Sequence, residues 1–352
     1  MTPLHRIDLG AAVLALDLAP GGALAAVVTA SAPHVRLLAV EGRRLRPRGA
    51  ADGSGAPCHD VAFHPGDGSF VALRREGAPG VWDAATGRHL RDLGDPRARG
   101  DACLGVAFSA DGLHLDTHRA YAERAARIEW AGGREVATRW GRGGALALDP
   151  AGEVLAVCDV GEGASTVRLG SWGGADFSLF GAEIVAWLSV GRAAFGPDGA
   201  ALALFGGGGR AQLRVVDLDA WEACLALDLD EVPEALEDFP WAAPRAMAFT
   251  PDGAAVVCGG SGGELVARAW RDGAVVASCA PLGAPVTALA VDAGTGLALV
   301  GDAAGGVALV DLGAAHPAQP AGSLARALEA RFGRVAPGRV GDDAAYDSLD
   351  VG

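Results

Sequence analysis

"MAFTPDGAAVVC", residues 247–258, is an apolar run, a tight turn and a second apolar run. Pro, Asp and Gly between two short runs of Val, Ala and Phe are hairpin chemistry, because they supply the turn conformations that other residues resist. The same arrangement starts at Leu16 ("LDLAPGGALAAV"), Val61 ("VAFHPGDGSFVAL"), Val106 ("VAFSADGLHLDT"), Leu146 ("LALDPAGEVLAV"), Ala193 ("AAFGPDGAALAL") and, more weakly, Leu289 ("LAVDAGTGLALV"). The last apolar residue before each turn is Leu18, Phe63, Phe108, Leu148, Phe195, Phe249 or Val291, giving spacings of 45, 45, 40, 47, 54 and 42. Periods of this length belong to propeller blades or helical arrays, and the hairpin content excludes helices.

After each hairpin a third run often ends in Trp or Asp, as in "GVWDAATGR" (80–88), "LRVVDLDAW" (213–221) and "VALVDLGAA" (307–315), and a fourth follows, as in "GRHLRDL" from Gly87. Four strands in each of seven units predict an all-β, seven-bladed β-propeller over residues 1–315. The seventh unit has no local fourth strand, whereas "PLHRIDLG" (3–10) closely matches "GRHLRDLG" (87–94), the outer strand of the second unit. Residues 4–9 are therefore expected to complete the last blade and close the ring, leaving no dangling edge. Residues 316–352 read as a linker, a short amphipathic helix and an acidic, disordered tail. The helix is "SLARALEARFG" (323–333), with Ser323 as N-cap, Gly333 after its end, and Leu324, Leu328 and Phe332 on one face.

At "VWDAATGR", with Trp82 and Asp83, the chain resembles the WD40-like β-propeller superfamily over roughly residues 3–312. The resemblance implies a scaffold that engages partners on the face bearing its second-to-third-strand loops. The Gly-His dipeptide that opens such repeats is missing and only one blade keeps Trp-Asp, so the resemblance does not by itself imply the family's His-to-Asp staples.

The chain has 352 residues and a net charge of −14, with no Lys or Asn and abundant Ala and Gly, a composition expected of a GC-rich bacterial genome. An acidic surface repels phosphate, which argues against nucleic acid. No apolar run is long enough to span a membrane, and the apolar N-terminal stretch is broken by Asp8 and Asp17 without a basic leader, so a soluble, cytoplasmic protein is expected. The six cysteines form no CxxC pair; Cys58 and Cys103 each lie five residues before their unit's Phe and read as small buried fillers.

Few residues suggest chemistry. Ser261 in "GGSGG" lies between two strands and lacks the strand-to-helix turn of a nucleophile elbow, and "FGGGGR" (205–210) lacks the helix of a phosphate cradle. In "LHLDTHR" (113–119), His114 and Asp116 replace the small apolar residues of other units, with His118 beyond them. Alternate strand residues share a face about 7 Å apart, so His114 and Asp116 are weak metal-ligand candidates, and a hydrogen-bonded polar cluster between blades is the plainer reading.

The longest spacing contains "DLDEVPEALEDFPWAAP" (228–244), with six acids and no base. This connection falls on the loop face. Asp230, Glu231, Glu237, Asp238, Phe239 and Trp241 are accordingly candidate partner contacts, aromatics on a charged loop being suited to anchor an interface. Arg74, Arg75, Arg119, Arg124 and Arg127, with Tyr121, are expected in loops on the same face. The expected function is a non-enzymatic interaction scaffold or adaptor of a bacterial signalling or defence assembly, without cofactor, whose protein partner carries a basic patch. The alternative is a lactonase-like or quinoprotein-like enzyme, or a metal-binding propeller, using the central channel.

Overall fold

The hairpin turns are set by glycine. Gly22, Gly68, Gly112, Gly152, Gly199, Gly253 and Gly296, one in each unit, all have φ between +67° and +77°, a region that costs a residue with a Cβ about 1–2 kcal/mol. The computed structural model describes residues 1–32, 34–52, 57–75, 77–93, 103–119, 124–140, 145–160, 164–173, 176–186, 190–206, 210–231, 246–313, 322–335 and 346–351.

Strand β1 (Thr2–Asp8) comes first. Blade 1 is then β2 (Val13–Leu18), β3 (Leu24–Thr29), β4 (Val35–Glu41) and β5 (Arg44–Ala50). Blade 2 is β6 (Cys58–Phe63), β7 (Ser69–Arg74), β8 (Gly80–Asp83) and β9 (His89–Asp92); blade 3 is β10 (Cys103–Phe108), β11 (His114–Arg119), β12 (Arg124–Glu129) and β13 (Glu135–Trp140). Blade 4 holds β14 (Leu146–Leu148), β15 (Leu155–Val160), β16 (Ser165–Gly173) and β17 (Asp176–Ala186), and blade 5 holds β18 (Val190–Phe195), β19 (Ala201–Gly206), β20 (Arg210–Asp217) and β21 (Glu222–Glu231). Blade 6 is β22 (Met247–Phe249), β23 (Ala255–Gly259), β24 (Leu265–Ala269) and β25 (Val275–Cys279), and blade 7 begins with β26 (Val286–Asp292), β27 (Leu297–Asp302) and β28 (Gly306–Asp311). Helix α1 (Leu324–Phe332) and β29 (Asp347–Asp350) follow.

These strands make seven separate sheets, the arrangement of a seven-bladed β-propeller. The outermost strand of blade 7 is β1, antiparallel to β28 from Thr2 opposite Asp311 to Asp8 opposite Gly306. Blades 7 and 1 pack directly: Val13, Leu16 and Leu18 share an apolar cluster with Ala288, Leu299 and Leu309, and Thr287 Oγ1 donates to the Val13 carbonyl at 2.6 Å.

Apolar clusters of this kind join blades 1 and 2, 2 and 3, 4 and 5, 5 and 6, 6 and 7, and 7 and 1. Among the described residues the junction of blades 3 and 4 has none. There the Arg127 guanidinium lies over the Trp172 ring, 4.8 Å from its centre.

Helix α1 has the caps its sequence predicts: Ser323 Oγ accepts from the Arg326 amide at 3.3 Å, and Gly333 donates to the Glu329 carbonyl at 2.9 Å. Leu324 and Leu328 are buried in the cluster of blades 4 and 5, and Phe332 meets Trp221 at 4.7 Å between ring centres. Nine residues long, it is too short to cross a membrane, and no described helix is long and apolar enough to do so.

The tail departs from expectation. Residues 347–350 are not disordered but add to β17 as a parallel fifth strand of blade 4, Ala182 opposite Asp347 and Val185 opposite Asp350. The eleven-residue β17 offers an open edge, and Val351 is buried beyond it in the cluster of blades 4 and 5. Arg214 Nε donates to the Val351 carbonyl at 3.1 Å.

Outer edges are otherwise guarded by charge or proline, which discourages pairing with another chain. β5 carries Arg44, Arg46, Pro47 and Arg48; β9 carries Arg91 and Asp92; β1 carries Pro3, Arg6 and Asp8. β25, "VVASC", has no charge, and Val275 and Val276 are 54% and 59% exposed. A Val275→Lys variant is therefore expected to scatter less light on heating than the native chain, with its midpoint of unfolding nearly unchanged; equal scattering would place the aggregating surface elsewhere.

Candidate functional site

The loop-face residues predicted from the sequence fall into three groups. Glu237, Asp238, Phe239, Trp241 and Tyr121 lie outside the described residues. Arg119 ends β11, while Asp230 and Glu231 belong to β21, with Glu231 opposite Arg210, so the insertion begins as ordered strand rather than loop. Arg124 and Arg127 lie in β12, not in a loop.

Arg74 is turned into its own blade, away from a partner. Its Nη1 donates to Asp92 Oδ1 at 2.9 Å, its Nη2 lies 3.3 Å from His89 Nε2, and its guanidinium sits 5.3 Å from the centre of the Trp82 ring. His89 Nε2 is 2.9 Å from the same Asp92 oxygen. Trp82 in turn donates from Nε1 to the Asp52 carbonyl of blade 1 at 2.7 Å. Trp82 of the conspicuous Trp-Asp thus belongs to a Trp-Arg-His-Asp staple within blade 2 whose acid is Asp92, while Asp83 accepts from the Thr86 amide and hydroxyl in the following turn. Arg75, one residue beyond β7, is half-buried.

His114 and Asp116 do occupy one strand, but Asp116 belongs to an ion pair. Arg127, directly opposite it on β12, donates from Nε to Asp116 Oδ1 at 2.9 Å and from Nη2 to Oδ2 at 2.7 Å. Asp116 is fully buried. Burial lifts its pKa, and the guanidinium opposes the lift. With both carboxylate oxygens engaged, the pair is a polar staple, and no metal-binding cluster occurs among the described residues.

Three of the five described cysteines fit the buried-filler reading, whereas Cys224 and Cys279 are partly exposed. Cys58, Cys158 and Cys258 are buried and outside any disulfide, and burial raises the thiol pKa to about 11 in Cys58 and about 12 in Cys258.

The arrangement that sequence reading missed is on the axis. Two adjoining cavities of about 150 and 280 Å³ are lined by the first strands of the blades and share Asp60, Val106 and Arg192. Asp17 on β2 enters the smaller cavity, so β2, β6 and β18 each bring one charged side chain to a wall otherwise made largely of Ala, Val, Leu and Gly.

Asp17 Oδ2 accepts from the Phe63 amide at 2.7 Å, across the blade junction, and Oδ1 accepts from the Leu18 amide at 2.9 Å. The carboxyl faces the channel yet is surrounded by protein. Burial, opposed by those amides and by Arg192, pushes its pKa up to about 7. The folded chain therefore keeps this proton where the unfolded chain, with a carboxyl pKa of about 4, has released it. Its stabilising contribution is complete below about pH 4 and is lost as pH rises to about 7. An Asp17→Asn variant has no such proton. Its Tm minus that of the native chain is expected to climb between these values and level off above them, and a difference independent of pH would show that Asp17 is ionised throughout.

Fold and site together define a seven-bladed β-propeller with a polar cluster on its axis. No family model matches the chain, and no curated protein matches it.

Proposed function

We propose that the chain is a non-enzymatic interaction module, a divergent bacterial member of the WD40-like propellers, which serves in the cytoplasm as a scaffold or adaptor of a multi-protein signalling or defence system. The observation that supports this best is the outer hairpin of blade 5. β19 ends with Gly206 opposite Gln212, while β20 and β21 run further, to Arg210 opposite Glu231. The acid run that starts at Asp228 therefore leaves the blade as ordered strand on the face of the second-to-third-strand connections. Asp228 is held there by Gln212 Nε2 at 3.0 Å and remains mostly exposed.

A partner with a basic patch complements this face, which sets encounter rate and specificity more than affinity. The pairing of β1 with β28 acts as the latch of the ring, which keeps that face rigid. The test is affinity capture from cell extract on the full chain, compared with a variant whose residues 228–241 are a Gly/Ser loop. A single captured protein, lost with the replacement and weakened by salt, is the expected result. Retention by the variant would remove the acidic face from the account.

A second reading, a propeller that uses its channel for a ligand or a reaction, is favoured by one observation: Asp17, Asp60 and Arg192 reach the axis from three different blades.

A further inference from the structure

The outer edge of blade 4 is covered by two short segments that run in opposite directions. Residues 333–335 take its first half antiparallel, with the Gly181 amide donating to the Gly333 carbonyl at 3.1 Å and the Val335 amide to the Leu179 carbonyl at 2.9 Å. They are fixed by α1 and by Arg334, which donates to Ser171 Oγ at 2.8 Å and to Glu329 Oε2 at 3.0 Å. β29 takes the second half in parallel, and its hold is slighter. Asp347, Ser348 and Asp350 are exposed and Leu349 is half-buried, so Val351 is the one fully buried side chain that residues 346–351 bring. The other six sheets have four strands, so the architecture is complete without a fifth. A strand with so little burial does not offset the entropy of its own ordering; its covalent connection through residues 336–345 supplies the rest by raising its local concentration.

We infer that this second half of the β17 edge is a peptide-recognition site for a partner protein, which it takes as an extended segment by parallel strand addition, and that residues 346–351 occupy it in cis. The pattern the site reads is that segment's own: an aromatic residue, a hydroxyl two positions on, an aliphatic residue next, and valine two beyond. The Tyr346 ring lies under the Arg168 guanidinium at 5.2 Å, and Ser348 Oγ donates to Glu183 Oε1 at 2.7 Å. Leu349 and Val351, two apart and so on one face, enter the apolar cluster of blades 4 and 5. Main-chain bonds add affinity that any sequence gains: the Val351 amide donates to the Val185 carbonyl at 3.0 Å, and Arg214 Nε donates to the Val351 carbonyl. Exchanging tails between two copies of the chain replaces contacts by identical ones and forfeits the tether, whereas another protein with this pattern brings further contacts of its own. The occupant is therefore a partner protein. The proposal goes beyond the loop-face reading, since the contacts named come from β16, β17 and β20 and from no residue between 228 and 241.

Fluorescence anisotropy of a labelled peptide of residues 344–352 tests this on the full native chain and on the full chain carrying Val351→Asp, whose charged side chain cannot keep an apolar seat. The variant is expected to bind the peptide at least about tenfold more tightly than the native chain, because a cis segment that fills its site most of the time lowers the apparent affinity by the fraction left open. Peptides with Leu349→Ala or Val351→Ala are each expected to bind roughly tenfold more weakly than the native peptide, the scale of losing two buried methyl groups. If Val351→Asp does not fold, Ser348→Asp, which sets a carboxylate against Glu183, takes its place. Light scattering on the same samples gives the copy number. A native dimer that becomes a monomer in the variant would make the occupant a second copy and overturn the partner. Equal binding to native and variant chains, binding to neither, or indifference to the Leu349→Ala and Val351→Ala changes would overturn the site.

Discussion

Replacing Asp116 by alanine is expected to destabilise the ring by roughly 3–5 kcal/mol, the usual effect of leaving one member of a buried ion pair without its partner. Three observations put the expectation at the upper end. Asp116 is inaccessible and Arg127 nearly so, at 0% and 8% exposure. The pair is bidentate, so the variant strands a guanidinium that had two charge-assisted bonds. It also lies at the junction of blades 3 and 4, where the described residues form no apolar cluster and Arg127 reaches across to Trp172. Urea denaturation measures the loss. The double variant Asp116→Leu/Arg127→Met, which removes both charges and keeps the volume, is expected to recover most of it. A single variant within 1 kcal/mol of the native chain would mean that water reaches the guanidinium.

Removal of residues 1–9 is expected to have the other large effect. β1 contributes six residue pairs with β28 and sets Leu4, Ile7 and Leu9 against the cluster between blades 7 and 1. Fully burying one such side chain stabilises by roughly 1.5–3 kcal/mol, and these are partly buried, so their sum is several kcal/mol. The truncated chain also presents the apolar strand β28, "GVALVD", as a bare edge. It is expected to aggregate on expression or to melt well below the native chain, and a synthetic peptide of residues 1–10 added in trans is expected to raise its Tm. A truncated chain with native Tm would remove the latch.

Much of this architecture is legible in the sequence because it repeats. A Gly at positive φ, an aliphatic or aromatic residue before the turn and a strand on either side recur often enough that the seven blades, the strand donated by residues 4–9 and the caps of α1 can be read off directly. What does not repeat is what sequence reading misses. Strand β29, "DSLD", has one apolar residue and no alternation; it is a strand because β17 lends it an edge and Val351 finds a buried seat.

The axial residues are hidden differently. Asp17, Asp60 and Arg192 are isolated charges in largely apolar strands, 43 and 132 residues apart along the chain, and only the arrangement of the blades gathers them. A signal existed: Asp60 and Arg192 both stand three positions before their unit's marker residue, and Asp17 one position before its own. Arg74 and Arg127 misled for the opposite reason. Both look like surface charge, and both are held inside by partners that the linear pattern does not name.

Cys58, Cys158 and Cys258 sit on blades 2, 4 and 6, and all three are shielded from solvent. With one blade between 2 and 4, one between 4 and 6 and two between 6 and 2, they form a set of native reporters in separate sectors. Each of these blades has a neighbour on either side, so loosening one disturbs two others, and a thiol reagent should find all three sites at matched rates if the blades open as a unit, and at unequal rates if one seam gives first.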